Sequence, residues 1–174
     1  ILRGDFGTSL ISGVPVLDLV EKRVGPSMSL AVLTIIIAVC IAIPMGVIAA
    51  WKHRTWVDYL VMSFSVLGFS VPVFLVGYVL LLIFSVKLGW LPSGGMTTLG
   101  SSGGAADIAA HMVMPVIVLS VSMAGTNIRY IRSAVLEILQ QDYLRTARAK
   151  GLGRRRVVNQ HALRNAMVPI VTVI

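Results

Sequence analysis

The sequence predicts an all-α protein, a polytopic bundle of transmembrane helices with a cytoplasmic helix-turn-helix loop. Apolar residues make up 56% of the 174 residues, and the mean hydropathy is +0.88. Charged residues make up only 13%, about half of their share in soluble domains. Three uncharged runs are long enough to cross a bilayer core about 30 Å thick. The basic residues are concentrated on one side of these runs, as is typical of cytoplasmic loops.

The N-terminal segment, residues 1–26, carries six charged side chains and is predicted to be external. Residues 14–24 are compatible with a short amphipathic helix on the membrane surface, and Gly25, Pro26 and Ser27 predict a break after it. The first predicted span follows at residues 28–50, which contain no charged side chain.

Residues 59–86 form the second predicted span, which is longer than a bilayer requires, so a tilt or a bend is expected. Pro72 lies near its middle, among small residues: Ser63, Ser65, Gly68, Ser70 and Gly77. Such residues permit close helix packing, and serine hydroxyls near a proline can also line a hydrated path; both interpretations stay open. The Gly- and Ser-rich residues 87–110 are predicted to be an external loop.

Residues 111–128 form the third predicted span, with Asp107 as a possible N-cap and Ser120, Ser122 and Asn127 in a polar C-terminal part. Residues 129–165 are predicted to be cytoplasmic, and residues 166–174 to begin a further transmembrane helix. These last nine residues would rise about 13.5 Å as a helix, too little to cross the membrane. We therefore expect the chain to be a fragment of a longer polytopic protein.

The distribution of basic residues predicts the orientation of the spans. Eleven of the fifteen Lys and Arg residues lie in the turn at residues 52–54 or between Arg129 and Arg164. Because cytoplasmic loops carry an excess of Lys and Arg, both segments are predicted to be cytoplasmic. The net charge of +8 thus follows from membrane topology and does not call for nucleic acid as a partner.

The segment from Gln140 to Pro169 is predicted to be a basic helical hairpin. Residues 136–150 contain no Gly or Pro, and Leu136, Tyr143 and Ala147 recur at helical spacing on one face. Gly151 and Gly153 are predicted to end this helix, and a second helix is expected between Arg154 and Ala166.

The chain contains no signature of enzymatic chemistry. It has no phosphate-binding loop of the G-x-x-x-x-G-K-[ST] type, no H-E-x-x-H motif and no cysteine-rich metal site, since Cys40 is the single cysteine. No predicted span carries an ionisable Asp, Glu, Lys or Arg in its middle, although coupled transporters usually need one there. We therefore expect no enzymatic activity and no cofactor in this chain, and any transport is expected to be energised by another subunit.

The motif at residues 141–152, QDYLRTARAKGL, followed by HALRNA at residues 161–166, resembles the cytoplasmic loop of permease subunits of ABC importers. The dipeptide, oligopeptide and nickel permease branch is the most similar. Gly89-Trp90-Leu91-Pro92 and Gly4-Asp5-Phe6-Gly7 fit the same branch. The broader family has an E-A-A triplet where this chain has Arg145-Thr146-Ala147, and an I-x-L-P where it has His161-x-Leu163-Arg164; both departures are typical of the peptide branch.

The resemblance implies a permease of the inner (cytoplasmic) membrane of a bacterium or archaeon, which forms a translocation path for a peptide, nickel or a related small solute. It implies a second homologous permease, cytoplasmic P-loop ATPases that bind ATP and Mg²⁺, an extracytoplasmic solute-binding protein and membrane lipid as partners. By resemblance the hairpin is the coupling helix that docks on the ATPase. The expected coupling residues are Tyr143, Arg145, Thr146, Ala147, Arg148, Ala149, Lys150, Gly151, Arg154, Arg155 and Arg156. The expected path-lining residues are Ser63, Ser65, Ser70, Ser120, Ser122 and Asn127.

Two alternatives stay open. A membrane scaffold or receptor whose basic loop binds anionic lipid would need only the charge of the hairpin, not the glycine at its tip. A channel is less favoured, because the sequence has no charged ring or carbonyl filter.

Overall fold

The computed structural model describes residues 6–98, 100 and 103–141. It contains four α-helices: α1 (Val16–Trp51), α2 (Trp56–Ser70), α3 (Val73–Leu80) and α4 (Ala105–Leu139), with a π-helical segment at Leu81–Lys87 directly after α3. Within these ranges no β-strand is present apart from one isolated bridge between Thr8 and Pro15. The predicted all-α class is confirmed.

Two helices, α1 and α4, are long and apolar enough to cross a membrane, and the pair of α2 with the segment from Val73 to Lys87 adds a third if it is one broken span. The two halves of that pair meet at an angle of 94°. The predicted bend is therefore confirmed, and it lies at Pro72, whose ring cannot continue the helix without a lost hydrogen bond. The membrane limits at residues 28–50, 59–86 and 111–128 stay predictions.

The predicted break at residues 25–27 is wrong, since α1 runs without interruption from Val16 to Trp51 and contains Pro26. Proline has a helical φ, but it removes the hydrogen bond to the carbonyl four residues earlier and its ring crowds that carbonyl. That carbonyl belongs to Lys22, an exposed residue, so the unpaired group need not be buried. The 36 residues of α1 span about 54 Å, which is more than the hydrocarbon core requires.

The predicted N-cap at Asp107 is also wrong. Gly104 precedes the first residue of α4, and Asp107 lies within the first turn. Its carboxylate accepts hydrogen bonds from the backbone N–H and the hydroxyl of Thr98, at 2.9 and 2.7 Å. An acidic side chain is favourable there because the helix N-terminus carries partial positive charge. The contact joins the preceding loop to the start of α4.

Helix α4 continues past Arg129 and Arg132 and ends at Leu139. The predicted uninterrupted helix over residues 136–150 is therefore wrong at Gln140, which lies in a turn. The backbone N–H groups of Gln140 and Gln141 donate to the carbonyls of Glu137 and Ile138, three residues earlier. This tighter spacing is common where an α-helix ends. The rest of the predicted hairpin, from residue 142 onward, lies outside the described residues.

The core lies between α1 and α4. Ala38, Ala42 and Ala49 of α1 and Ala124 and Ile128 of α4 are fully buried. Alanines along one face of α1 allow α4 to approach closely, as small residues do in membrane bundles. Large apolar side chains on the other faces, such as Ile36, Leu67 and Phe74, are exposed, which suits contact with lipid or with further helices.

Candidate functional site

At the crossing of α2 and α4, the residues in contact are small. A Cβ atom on Gly125 would lie 2.8 Å from the Ser65 carbonyl oxygen, and one on Gly68 would lie 3.0 Å from the Val121 carbonyl oxygen. The Ser65 hydroxyl donates a hydrogen bond to the Gly125 carbonyl, and Ser65 is fully buried. The two backbones are therefore in direct contact, and Ser65 joins the helices.

Ser120 has a similar role between α4 and α1. Its side chain is fully buried, and its hydroxyl donates to the Thr34 carbonyl at 3.3 Å. Ser63 and Ser70, by contrast, are exposed on α2. Four of the six residues predicted to line the path thus lie either inside helix contacts or on the outer surface of α2.

The remaining two, Ser122 and Asn127, lie together in an open cleft of about 690 Å³. This α1–α4 cleft is bounded by α1, α4 and Val73 at the start of α3, and most of its lining is apolar. Its polar side chains are Ser27, Thr34, Ser122, Thr126 and Asn127. The structure therefore places Ser122 and Asn127 in the same cleft as Ser27 and Thr34, the polar residues that α1 contributes.

Two polar atoms of the α1–α4 cleft have no hydrogen-bond partner in the described part of the chain. These are Oγ1 of Thr34 and Nδ2 of Asn127, on residues that are 7% and 6% exposed. A buried polar group without a partner costs roughly 1–3 kcal/mol. A threonine hydroxyl can donate and accept and an amide nitrogen can donate, but both atoms are buried and lie below the accessible surface of the cleft.

A second polar centre lies at the opposite end of the helices from Thr98, where the α1–α2 turn meets α4. Asp58 is 2% exposed. Its Oδ1 accepts from Nε of Arg132 at 2.7 Å, and its Oδ2 accepts from Nη2 of Arg132 at 2.8 Å. This is the two-pronged geometry in which a guanidinium binds a carboxylate most strongly.

His53 and Arg54 of the turn complete this centre. We term it the Asp58 cluster; it consists of Asp58, Arg132, His53 and the backbone N–H of Arg54. The Arg54 N–H donates to Oδ2 of Asp58 at 2.9 Å. Nδ1 of His53 lies 3.0 Å from Nη2 of Arg132 and 3.2 Å from Oδ2 of Asp58. Because a guanidinium can only donate, Nδ1 accepts from Arg132 in the tautomer that carries its proton on Nε2, and it can donate to Asp58 only when Nδ1 itself is protonated. The Asp58 side chain is buried and that of Arg132 is 19% exposed, so removing Arg132 would leave the Asp58 charge without its main partner, at a cost of at most about 3–5 kcal/mol.

The loop after the π-helical segment folds back on it. The backbone N–H groups of Trp90 and Leu91 both donate to the Phe84 carbonyl, at 2.9 and 3.2 Å, and the rings of Trp90 and Phe84 lie 6.0 Å apart. The Gly-Trp-Leu-Pro motif therefore returns the chain to the helix end. Within the described ranges, no group of three or more His, Cys, Asp and Glu side chains is placed to hold a metal ion.

All the predicted coupling residues, from Tyr143 to Arg156, lie outside the described residues, so their roles stay predictions. Sequence reasoning did not find the Asp58 cluster or the role of Thr34. The sequence places Asp58 just before the second predicted span and Arg132 in the segment predicted to be cytoplasmic, and it predicts no contact between them. An acidic residue four positions after a basic turn is a signal of an ion pair, but the partner of Asp58 is 74 positions away.

Comparison with known proteins identifies similar chains. Residues 42–174 match the sequence pattern of a family described as "Binding-protein-dependent transport system inner membrane component". A probable peptide ABC transporter permease protein of Sinorhizobium fredii is 44% identical over 174 residues, which cover 100% of this chain and 55% of that protein. An oligopeptide transport system permease protein, AppB of Bacillus subtilis, is 41% identical over 99% of this chain and 55% of its own length.

A glutathione transport system permease protein, GsiC of Salmonella typhimurium, is 42% identical over 99% of this chain and 53% of its own length. The chain thus spans about half the length of the curated relatives it matches. The match covers the region that carries the predicted hairpin as well as most of the described helices, so it agrees with the motifs and with the helical architecture.

Proposed function

This chain belongs to the family of inner-membrane components of binding-protein-dependent transport systems, and we propose that it forms part of a translocation path for peptides and couples to a cytoplasmic ATPase through residues 140–169. The family is bacterial in the relatives compared, and its members are ABC transporter permeases. Peptides are proposed as the substrate class because the relatives are named for peptide, oligopeptide and glutathione transport.

The observation that carries the proposal is the α1–α4 cleft. A peptide carries amide groups that must not lose water without gaining other partners. The cleft is lined by the polar side chains of Ser122 and Thr126, beside Thr34 and Asn127, whose buried Oγ1 and Nδ2 atoms lack protein partners among the described residues. A mostly apolar cleft with a few polar groups is the usual form of a small-molecule site.

The proposed path therefore keeps only some of the residues that the sequence predicted for it. Ser122 and Asn127 are retained, and Thr34 and Thr126 are added because they line the same cleft. Ser65 and Ser120 are assigned to helix packing, because their hydroxyls already donate to carbonyls of neighbouring helices.

The coupling role is proposed for the segment that follows α4. This helix extends to Leu139, beyond the third predicted span, and so leads directly into the basic hairpin. We propose ATP hydrolysis in separate P-loop subunits, a second homologous permease beside this one, and a solute-binding protein at the loop of residues 87–110. ATP and Mg²⁺ belong to the ATPase subunits in this scheme.

The coupling proposal is tested by Gly151→Trp in the full-length transporter. Glycine at a hairpin tip permits a sharp turn and a close approach of a partner, so a bulky side chain there is expected to abolish ATP-driven peptide uptake and to weaken ATPase co-purification. Membrane abundance and topology are expected to persist, because position 151 lies outside every predicted span. The matched control replaces Arg154, Arg155 and Arg156 by lysine and is expected to retain uptake.

The alternative, a scaffold that binds anionic lipid, predicts the opposite pattern. In that case Gly151→Trp would behave like the wild-type protein, whereas Arg154→Glu with Arg155→Glu would reduce binding to anionic vesicles and change nothing else. That result would exclude the coupling role of the hairpin.

A further inference from the structure

We propose that Asp58 and Arg132 are positioning residues for coupling: their ion pair fixes the end of α4 to the α1–α2 turn, so that movement of the segment after α4 reaches α1 and α2 as the movement of one rigid unit. This inference rests on the proposed coupling role of residues 140–169. It concerns two residues that neither contact the α1–α4 cleft nor belong to the predicted hairpin.

The Asp58 cluster joins three separate parts of the chain. Asp58 lies in the first turn of α2, His53 and Arg54 lie in the turn after α1, and Arg132 lies 74 positions later on α4. Each oxygen of the Asp58 carboxylate accepts from Arg132, and one also accepts from the Arg54 backbone. A rotation of α4 or a shift of the turn would therefore break several hydrogen bonds together.

The turn itself is held in an unfavourable conformation by this cluster. Arg54 has a φ of 61° and is the single residue other than glycine with positive φ in the described ranges. The left-handed region is unfavourable for a residue with a Cβ atom, and such conformations persist where their surroundings determine them. Here the Arg54 N–H donates to Asp58, so the carboxylate determines the shape of the turn as well as the position of α4.

The position of Arg132 makes the pair effective at the end of α4. Leu139, the last helical residue, is seven residues further on, a rise of about 10 Å. Over this distance Val135 and Ile138 are buried in the core that α4 shares with α1. One face of these last two turns is therefore fixed by apolar packing, and the Asp58 pair fixes the helix to a second element.

Stability alone does not explain an ion pair at this place. Replacing a buried ion pair by apolar residues of similar volume is often neutral or stabilising, whereas polar pairs can specify one arrangement among several. A two-pronged pair has one geometry, in which both carboxylate oxygens are paired with the guanidinium. The pair therefore fixes the orientation of α4 relative to the α1–α2 turn, so that a movement of α4 is passed to the turn in a defined direction.

The first test measures peptide uptake per ATP hydrolysed by the full-length transporter, with its partner subunits, in proteoliposomes. Asp58→Asn and Arg132→Gln are expected to lower this ratio by about tenfold, a typical size for coupling between sites, while the ATPase remains bound. Arg129→Gln is the matched control, since Arg129 is exposed on the same helix and its guanidinium lies over the Phe69 ring, 4.5 Å from the centroid. Its ratio is expected to stay at the wild-type value.

The double variant Asp58→Asn with Arg132→Gln separates positioning from folding. Because it contains no unpaired buried charge, its membrane abundance is expected to recover while the ratio stays low. A double variant with the wild-type ratio would overturn the proposal, and so would single variants whose uptake falls only in proportion to their abundance.

A second test needs no transport. In a cysteine-free background, which removes the exposed Cys40, spin labels on Lys52→Cys and Gln141→Cys, both at exposed positions, report the distance between the turn and the end of α4. We expect one narrow distance distribution, with and without ATP, in the otherwise wild-type protein and in Arg129→Gln, and a broadened one in the double variant. Equal distance distributions in all of these proteins would refute the proposal that the ion pair fixes α4 to the turn. A wild-type protein that shows narrow distances but no ATP-driven uptake would refute only the proposed function.

Discussion

Replacing Gly125 by alanine tests the close backbone contact between α2 and α4. The new Cβ atom would lie 2.8 Å from the Ser65 carbonyl oxygen, 3.2 Å from the Phe69 nitrogen and 3.3 Å from the Gly68 carbonyl carbon. All three are backbone atoms, which cannot rotate away as a side chain can. Carbon and oxygen atoms usually approach no closer than about 3.3 Å, so α2 and α4 must separate by roughly half an ångström.

The cost of this separation is estimated from three contributions. Overpacking a well-filled contact costs about 1–3 kcal/mol. Loss of the hydrogen bond from the Ser65 hydroxyl to Gly125 costs about 1 kcal/mol. The higher helix propensity of alanine offsets about 1 kcal/mol. The variant is therefore expected to be less stable by about 2 kcal/mol, a decrease of roughly 4–8 °C in Tm if it follows the scaling of soluble proteins of about 200 residues.

The measurement is thermal unfolding of the purified full-length protein in detergent, followed by tryptophan fluorescence. Gly77→Ala is the matched control, because it makes the same change within α3, where the nearest atom to a Cβ is 4.0 Å away. Its Tm is expected to equal or exceed that of the wild-type protein. If Gly125→Ala were as stable as Gly77→Ala, the backbones of α2 and α4 would not be in contact and the account of this crossing would be wrong.

Three further predictions concern packing, orientation and the path. Gly46→Ala would place a Cβ atom 2.7 Å from Cγ2 of Ile131 and is expected to lower the stability by about 1–3 kcal/mol in the same unfolding measurement; an unchanged Tm would contradict close packing of α1 on α4. In a cysteine-free background, Ser93→Cys is expected to react with an impermeant maleimide in intact cells and Lys52→Cys only after lysis, because the basic turn is predicted to be cytoplasmic; the reverse pattern would invert the topology. Ser122→Trp is expected to reduce peptide uptake strongly without loss of membrane abundance, because the indole would fill part of the α1–α4 cleft, and normal uptake would remove the cleft from the path.

The fold class, the family and the bend of the second apolar segment were predictable from the chain alone. They depend on local properties: the length of the uncharged runs, the ring of Pro72 and the spacing of the motif at residues 141–152. Each is a property of neighbouring residues. In a bilayer, a long apolar run can satisfy its backbone hydrogen bonds only as a helix or a closed barrel, so these local properties determine the fold class. The limits of the helices were less predictable, because Pro26, Pro44 and Pro115 lie within helices whereas Pro72 separates two.

Only the tertiary structure decided which polar residues hold helices together and which remain available. Ser65, Ser120 and Ser122 are alike in sequence, but the first two donate to carbonyls 60 and 86 positions away, and Ser122 faces the α1–α4 cleft with Thr34 and Asn127. The pairing of Asp58 with Arg132 is of the same kind. Hydrogen bonds and ion pairs act over about 3 Å in space, without regard to distance along the chain, so their partners are fixed by the crossing of the helices and cannot be read from local sequence.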